Sequence, residues 1–142
     1  TMLKKLPIFI LFLFSTNAFS CSCDSVGTIT NKVFKENQLI ALGKVIKVDT
    51  TDFQLIVNLK IDKSYHGKTD SIIQVYTNPG GAACGITAKP DEEWLIFAYL
   101  ENKKFETDLC TRSKNINNPI SIVYDTKFLE KDLDFLNNYI KK

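Results

Sequence analysis

Phe53-Gln54-Leu55-Ile56-Val57-Asn58-Leu59-Lys60-Ile61-Asp62 is the stretch on which the reading of this chain turns. Phe53, Leu55, Val57, Leu59 and Ile61 alternate with Gln54, Ile56, Asn58, Lys60 and Asp62, the period of a strand with one face buried. Before it, across a polar turn at Asp49 to Asp52, Leu39 to Val48 reads LIALGKVIKV. Its β-branched and aliphatic residues predict a second strand, and Gly43 in its middle predicts a bulge or a close backbone approach. After it, Tyr65-His66-Gly67-Lys68 predicts a turn, and Ile72, Ile73, Val75 and Tyr76 a third strand.

Further out, Asn78-Pro79-Gly80-Gly81-Ala82-Ala83-Cys84-Gly85 is the densest run of turn and small residues and predicts a loop. Glu93 to Leu100, EWLIFAYL, is nearly continuously apolar and aromatic, as expected of a central, well-buried strand. Glu101 to Lys104 makes a hairpin turn, and Phe105 to Leu109 returns as a fifth strand. Helices flank these strands. Val26, Ile29, Val33 and Phe34 share a face within Asp24 to Asn37, with Asp24 or Ser25 as N-cap. Phe128, Leu129, Leu133, Leu136, Tyr139 and Ile140 recur at helical spacing, opposite Lys127, Glu130, Lys131, Asp134 and Asn137. Five closely spaced strands between two helices predict a mainly β fold with flanking helices, a five-stranded antiparallel barrel of the OB-fold type.

The 142 residues suit one domain, and 44% hydrophobic with 24% charged residues is the composition of a globular chain. Met2 to Ser20 has the parts of a secretory signal: Lys4 and Lys5, an apolar run from Leu6 to Phe14, and a polar stretch into Ala18-Phe19-Ser20 with small residues where a peptidase reads them. The run falls well short of the roughly 20 residues a spanning helix needs. Residues 1–20 are therefore expected to be a signal peptide and 21–142 the mature domain, secreted or periplasmic, with no transmembrane anchor after signal removal. Thr1, ahead of Met2, is set aside. Cleavage takes two lysines from the eighteen Lys and Arg and nothing from the sixteen Asp and Glu, leaving a formal charge of zero. A neutral domain without a basic block points to no nucleic-acid partner.

All four cysteines, Cys21, Cys23, Cys84 and Cys110, follow the signal, and an even number in an exported chain reads as two disulfides. Residues two apart in an extended segment stand about 6.5 to 7 Å apart at Cα, near the upper limit for a bridge. Cys21 and Cys23 are thus expected to anchor to Cys84 and Cys110 rather than to each other. Zinc is disfavoured, because paired C-x-x-C spacing is missing. Little else carries chemistry. The single histidine, His66, reads as a solvated turn residue; Asp91-Glu92-Glu93 and Asp132 to Asp134 read as solvated charge; Trp94 reads as core. Neither an enzyme nor a cofactor is implied, and nothing sets an oligomeric state.

Cys21-Ser22-Cys23 directly after a signal, LIALGKVIKV, the alternating strand running to Tyr65-His66-Gly67, Ala83-Cys84-Gly85, EWLIFAYL, and Cys110 followed by Arg112-Ser113 together resemble a netrin-like domain. The type is that of the tissue inhibitors of metalloproteinases, in a short single-domain form, and the likeness spans nearly all of 21–142. It implies an OB-fold barrel with flanking helices, and bridges from Cys21 to Cys84 and from Cys23 to Cys110. It also implies a partner, a zinc metalloprotease, whose catalytic zinc the α-amine and carbonyl of a mature N-terminal Cys21 would chelate. Ser22 would point into the pocket beside that zinc. Cys23 and Asp24 would continue the contact, and Ala83, Cys84 and Gly85 would form its second edge. Asp24-Ser25 stand where the family's animal members usually carry a small or apolar residue and a proline, and the family's additional cysteines are missing.

Two alternatives accompany this reading. One is an exported netrin-like binding or structural module without inhibitory activity. The other is a lipoprotein acylated at Cys21, which would consume the amine and leave three cysteines behind a weak lead-in, Asn17-Ala18-Phe19. Intact-mass analysis of the exported protein is expected to find a chain starting at an unmodified Cys21 with no free thiol; a diacyl mass increment on Cys21 would establish the lipoprotein instead.

Overall fold

The computed structural model describes residues 21–23, 27–80, 83–119 and 126–140. In chain order its elements are α1 (Asn31–Glu36), β1 (Leu39–Thr50), β2 (Leu55–His66), β3 (Ile72–Thr77), β4 (Glu93–Glu101), β5 (Lys104–Glu106), β6 (Lys114–Asn115) and α2 (Thr126–Tyr139). The strands run in the order β1-β2-β3-β5-β4, and β4 pairs back onto β1, so five of them close into an OB-like barrel. The expected antiparallel pairing needs one correction: β3 and β5 run parallel, through Val75 opposite Phe105 and Tyr76 opposite Glu106. The reason is topological. In a closed ring of five strands the directions cannot alternate throughout, so at least one neighbouring pair must be parallel.

The alternation of β2 carries into packing. Val57 and Leu59 are buried in the barrel interior with Leu39, Ala41 and Val45 of β1 and Ile73 and Val75 of β3. Phe53, read as part of that face, is instead 83% exposed. It precedes the strand, in a turn where the Thr51 hydroxyl accepts from Gln54 N–H at 2.9 Å. That local bond ends the ladder before Phe53 can join it. At the other end, Tyr65 and His66 belong to β2, not to a turn. Tyr65 is buried, and the half-buried His66 ring lies 4.6 Å from that of Phe34. Gly43 meets its expectation of close approach: a Cβ there would stand 2.7 Å from the Lys60 carbonyl oxygen, at a register shift in the β1–β2 ladder.

β4 explains why EWLIFAYL is apolar throughout. Trp94, Ile96 and Ala98 point into the barrel. Leu95 and Phe97 point outward to Ile29, Phe34, Leu129 and Leu136, the contacts of the flanking helices. On the edge of β4 away from β1, between its pairings with β5 and β6, no strand lies beside Phe97, and side chains take over. Phe97 N–H donates to Ser113 Oγ at 2.8 Å, and its carbonyl accepts from Thr107 Oγ1 and Ser113 Oγ at 3.0 Å each. Buried backbone groups require such partners, which keeps this edge closed.

The first helix is shorter than the expected span. It begins at Asn31, with Thr30 as N-cap in extended conformation accepting from Val33 N–H. Gly27 to Thr30 are not helical, and Asp24, Ser25 and Val26 lie outside the described residues. The second helix matches its apolar spacing but overturns one expectation. Asp132 does not face water: it is fully buried. Arg112 donates to it through Nε at 3.1 Å and through Nη2 at 2.5 Å, and Lys114 Nζ at 2.7 Å. Burial pushes the Lys114 ammonium below the ordinary lysine value, with Asp132 pulling the other way. This depressed value means that the native state gives up its proton first, so the lysine's contribution to stability diminishes as pH falls through its folded pKa.

Removing one partner of a buried ion cluster leaves charge unpaired at a typical cost of about 3–5 kcal/mol. Asp132→Ala is therefore expected to lower the urea midpoint by an amount equivalent to about 3–5 kcal/mol. The exposed Asp134→Ala should stay within about 0.5 kcal/mol. Equal midpoints for the two variants would show that the buried carboxylate does not secure α2.

Candidate functional site

The residues singled out by sequence converge at one end of the barrel. Cys21 is bonded to Cys84 and Cys23 to Cys110, each with Cα atoms 5.2 Å apart. This is the pairing that the resemblance implies. The Sγ atoms of Cys21, Cys84 and Cys110 lie within 4.8 Å of one another, so the two bridges sit side by side. Because these sulfurs are already bonded in disulfides, the cluster offers no thiolate set to a metal. Two bridges also fit an oxidising compartment, outside the cell or in a periplasm. Among the described residues no helix is long and apolar enough to cross a membrane.

Two short loops receive the tripeptide. In the first, Cys84 has a positive φ of 61° and Gly85 follows it, buried. A Cβ on Gly85 would lie 1.6 Å from the Asn78 carbonyl oxygen, so only glycine lets the two limbs of the loop approach this closely. Gly85 N–H donates to the Pro79 carbonyl at 3.3 Å, and Ile86 N–H to the buried Thr77 hydroxyl at 3.1 Å. In the second loop, Asp108 Oδ1 accepts from the N–H groups of Cys110 and Thr111, both at 2.8 Å. That is the turn an aspartate makes with backbone just ahead of it. The loops are joined to each other: Leu109 N–H donates to the Cys84 carbonyl at 2.7 Å.

The tripeptide therefore lies across two anchored loops, with Cys21 and Cys23 half-buried and Ser22 exposed between them. Ala83 is exposed beside it. Asp24, expected to continue this edge, lies outside the described residues, as do Gly81 and Ala82 of the first loop. In the chain-entropy account each closure stabilises by about 4 to 5 kcal/mol, given sequence separations of 63 and 87 residues. Elsewhere, Trp94 is buried as expected, its indole N–H donating to Glu92 at 2.9 Å, while Asp91 and Glu93 are exposed.

Arg112 is the residue that sequence reasoning left without a role. Two positions past Cys110, its Nη1 donates to the Gly27 carbonyl at 2.7 Å while its other nitrogens hold Asp132. It thus ties the chain leaving the tripeptide to α2. A signal for this was present. Asp132 stands three residues after Leu129 and four before Leu136, on the apolar stripe, where a carboxylate requires a buried cation. Comparison with models of known protein families and with curated proteins finds no match to this chain.

Gly85→Ala forces the Asn78–Gly85 approach apart, and overpacking of this kind typically costs about 1–3 kcal/mol. The variant is expected to unfold at lower temperature and to exchange the Leu109 amide proton faster than the parent. Unchanged Leu109 exchange would mean that the glycine contact does not set the position of the Cys84 loop.

Proposed function

We propose that the mature domain is an exported inhibitor of zinc metalloproteases that acts through the α-amine and carbonyl of Cys21. The observation that carries this reading is the placement of Cys21-Ser22-Cys23: two half-buried cysteines tethered to adjoining loops, with an exposed serine between them. A terminus held at two points two residues apart keeps its backbone direction, so little ordering remains to oppose binding.

The chemistry follows from the target. A catalytic zinc keeps one position open for water. After cleavage before Cys21, a neutral amine and the neighbouring carbonyl oxygen would replace that water as a two-point ligand. The amine, with an ordinary pKa of about 8, gives up its proton readily when it binds a cation. Ser22 would occupy the pocket beside the metal, and Ala83, Cys84 and Gly85 would supply the second edge. The domain itself needs no cofactor, since the metal belongs to the protease. Export to the periplasm or the medium would bring it to such enzymes.

Asp24 favours a second reading, because a carboxylate directly after the tripeptide would enter a cleft that the resembled inhibitors fill with a small or apolar side chain. In that reading the domain is a netrin-like binding or structural module whose bridges serve folding alone.

One alanine added before Cys21 separates the two. It moves the amine away from the carbonyl that completes the chelate, while the bridges stay intact. Across a panel of zinc proteases the extended form is expected to inhibit about 100-fold less well or worse, a difference of about 2.8 kcal/mol. Equal inhibition by both forms would rule out chelation by the amine. Absence of inhibition by either, together with capture of another exported protein, would establish the module.

A further inference from the structure

We propose that the two disulfides form an exchange relay, in which opening Cys23–Cys110 lets Cys110 displace Cys21 from Cys84 and so frees both tethers of the tripeptide at the expense of one dithiol. This goes beyond inhibition and does not depend on it.

The geometry that carries the relay is the position of the Cys110 sulfur, within 4.8 Å of both sulfurs of the Cys21–Cys84 bridge. Separate structural bridges need no such proximity. Cys110 is also exposed, whereas Cys21, Cys23 and Cys84 are half-buried, so an external thiol meets the Cys23–Cys110 bridge from the Cys110 side. The loops bearing Cys84 and Cys110 are held together without the tripeptide, by the Leu109 N–H bond to the Cys84 carbonyl and by the turn that Asp108 makes with Cys110 and Thr111. The nucleophile and its target therefore remain neighbours once Cys23 has left.

The steps balance with a small dithiol as reductant. Its thiolate attacks Cys110 Sγ, the bond to Cys23 breaks, and Cys23 leaves as a thiolate that takes up a proton. The reagent's second thiol displaces Cys110 and closes the reagent into its cyclic disulfide. The Cys110 thiolate then attacks Cys84 Sγ, the Cys21–Cys84 bond breaks, and Cys21 leaves as a thiolate and is protonated. Two electrons have entered. The protein keeps one bridge, Cys84–Cys110, and presents two thiols, Cys21 and Cys23. The loops stay cross-linked while the terminus comes loose.

The folded mature protein, treated anaerobically with less than one equivalent of dithiothreitol, alkylated and digested, tests this directly. The expected two-thiol species carries label on Cys21 and Cys23 and yields a bridged Cys84–Cys110 peptide pair. Label on Cys23 and Cys110 with Cys21–Cys84 intact, or on Cys21 and Cys84 with Cys23–Cys110 intact, overturns the relay, because each bridge would then open alone. A Cys23→Ala variant provides a reductant-free check: mapping is expected to find Cys84–Cys110 with Cys21 free in part of the population. A thiol confined to Cys110 overturns the proposal. Should that variant not fold, labelling of the parent protein decides. Neither readout involves a protease, so failure of the inhibitory reading and failure of the relay are told apart.

Discussion

Asp132 brings a carboxylate into a helix face that has no water against it, and the position of α2 on the barrel depends on how that charge is met. Arg112 and Lys114, two residues apart, both reach it. Lys114 belongs to β6, which pairs with β4, and Arg112 comes directly from the Cys110 loop. Buried ion pairs add little net stability compared with apolar packing, but breaking one is costly, and the arrangement that satisfies them is narrowly defined. The helix is thereby fixed at one place along β4. Leu129 and Leu136, on either side of Asp132, pack with Leu95 and Phe97 at that place.

The same guanidinium connects the scaffold to the tripeptide. With Nη1 on the Gly27 carbonyl, Arg112 holds the segment that leaves Cys23, while the disulfides hold the segment that enters it. A single bridge would fix one point of an extended strand and leave it free to pivot. Two bridges alternate with an exposed Ser22 and remove that rotation. What the domain presents is a backbone of set direction, and the loops that set it are shaped by Gly85 and Asp108.

Much of the barrel was legible in the sequence because its strands are long and their burial is periodic. Leu55 to Ile61 shows one wet face, and Trp94 to Ala98 shows none, which is what an inner and an outer apolar layer on β4 require. The features that escaped depend on partners distant in sequence or on very short pairings. β6 has two residues and no periodicity to read. Asp132 looks like surface charge until Arg112, twenty residues away, is placed beside it. Phe53 continues the alternation perfectly, yet the Thr51 hydroxyl turns the chain first. For the site, cysteine count and spacing led to the tripeptide and its two anchor loops but left two pairings open. Choosing between them takes the three-dimensional neighbourhood of Cys84 and Cys110, which spacing does not contain.

Barrel closure and presentation of the tripeptide use one segment, Thr107 to Ser113, for different purposes. The parallel β3–β5 pairing is only two residues long, a thin seam for a closed sheet. Thr107 N–H extends it with a bond to the Tyr76 carbonyl at 3.0 Å, and Thr107 and Ser113 satisfy Phe97 on the edge of β4 that faces away from β1. None of these bonds involves Cys21, Ser22 or Cys23. The tripeptide is therefore borne by the barrel without being needed to close it, and its tethers serve its own orientation. A tripeptide so attached can vary in sequence, or change its covalent state, while the sheet beneath it retains its bonds. That separation leaves the exposed Ser22 edge free of any part in holding the sheet together.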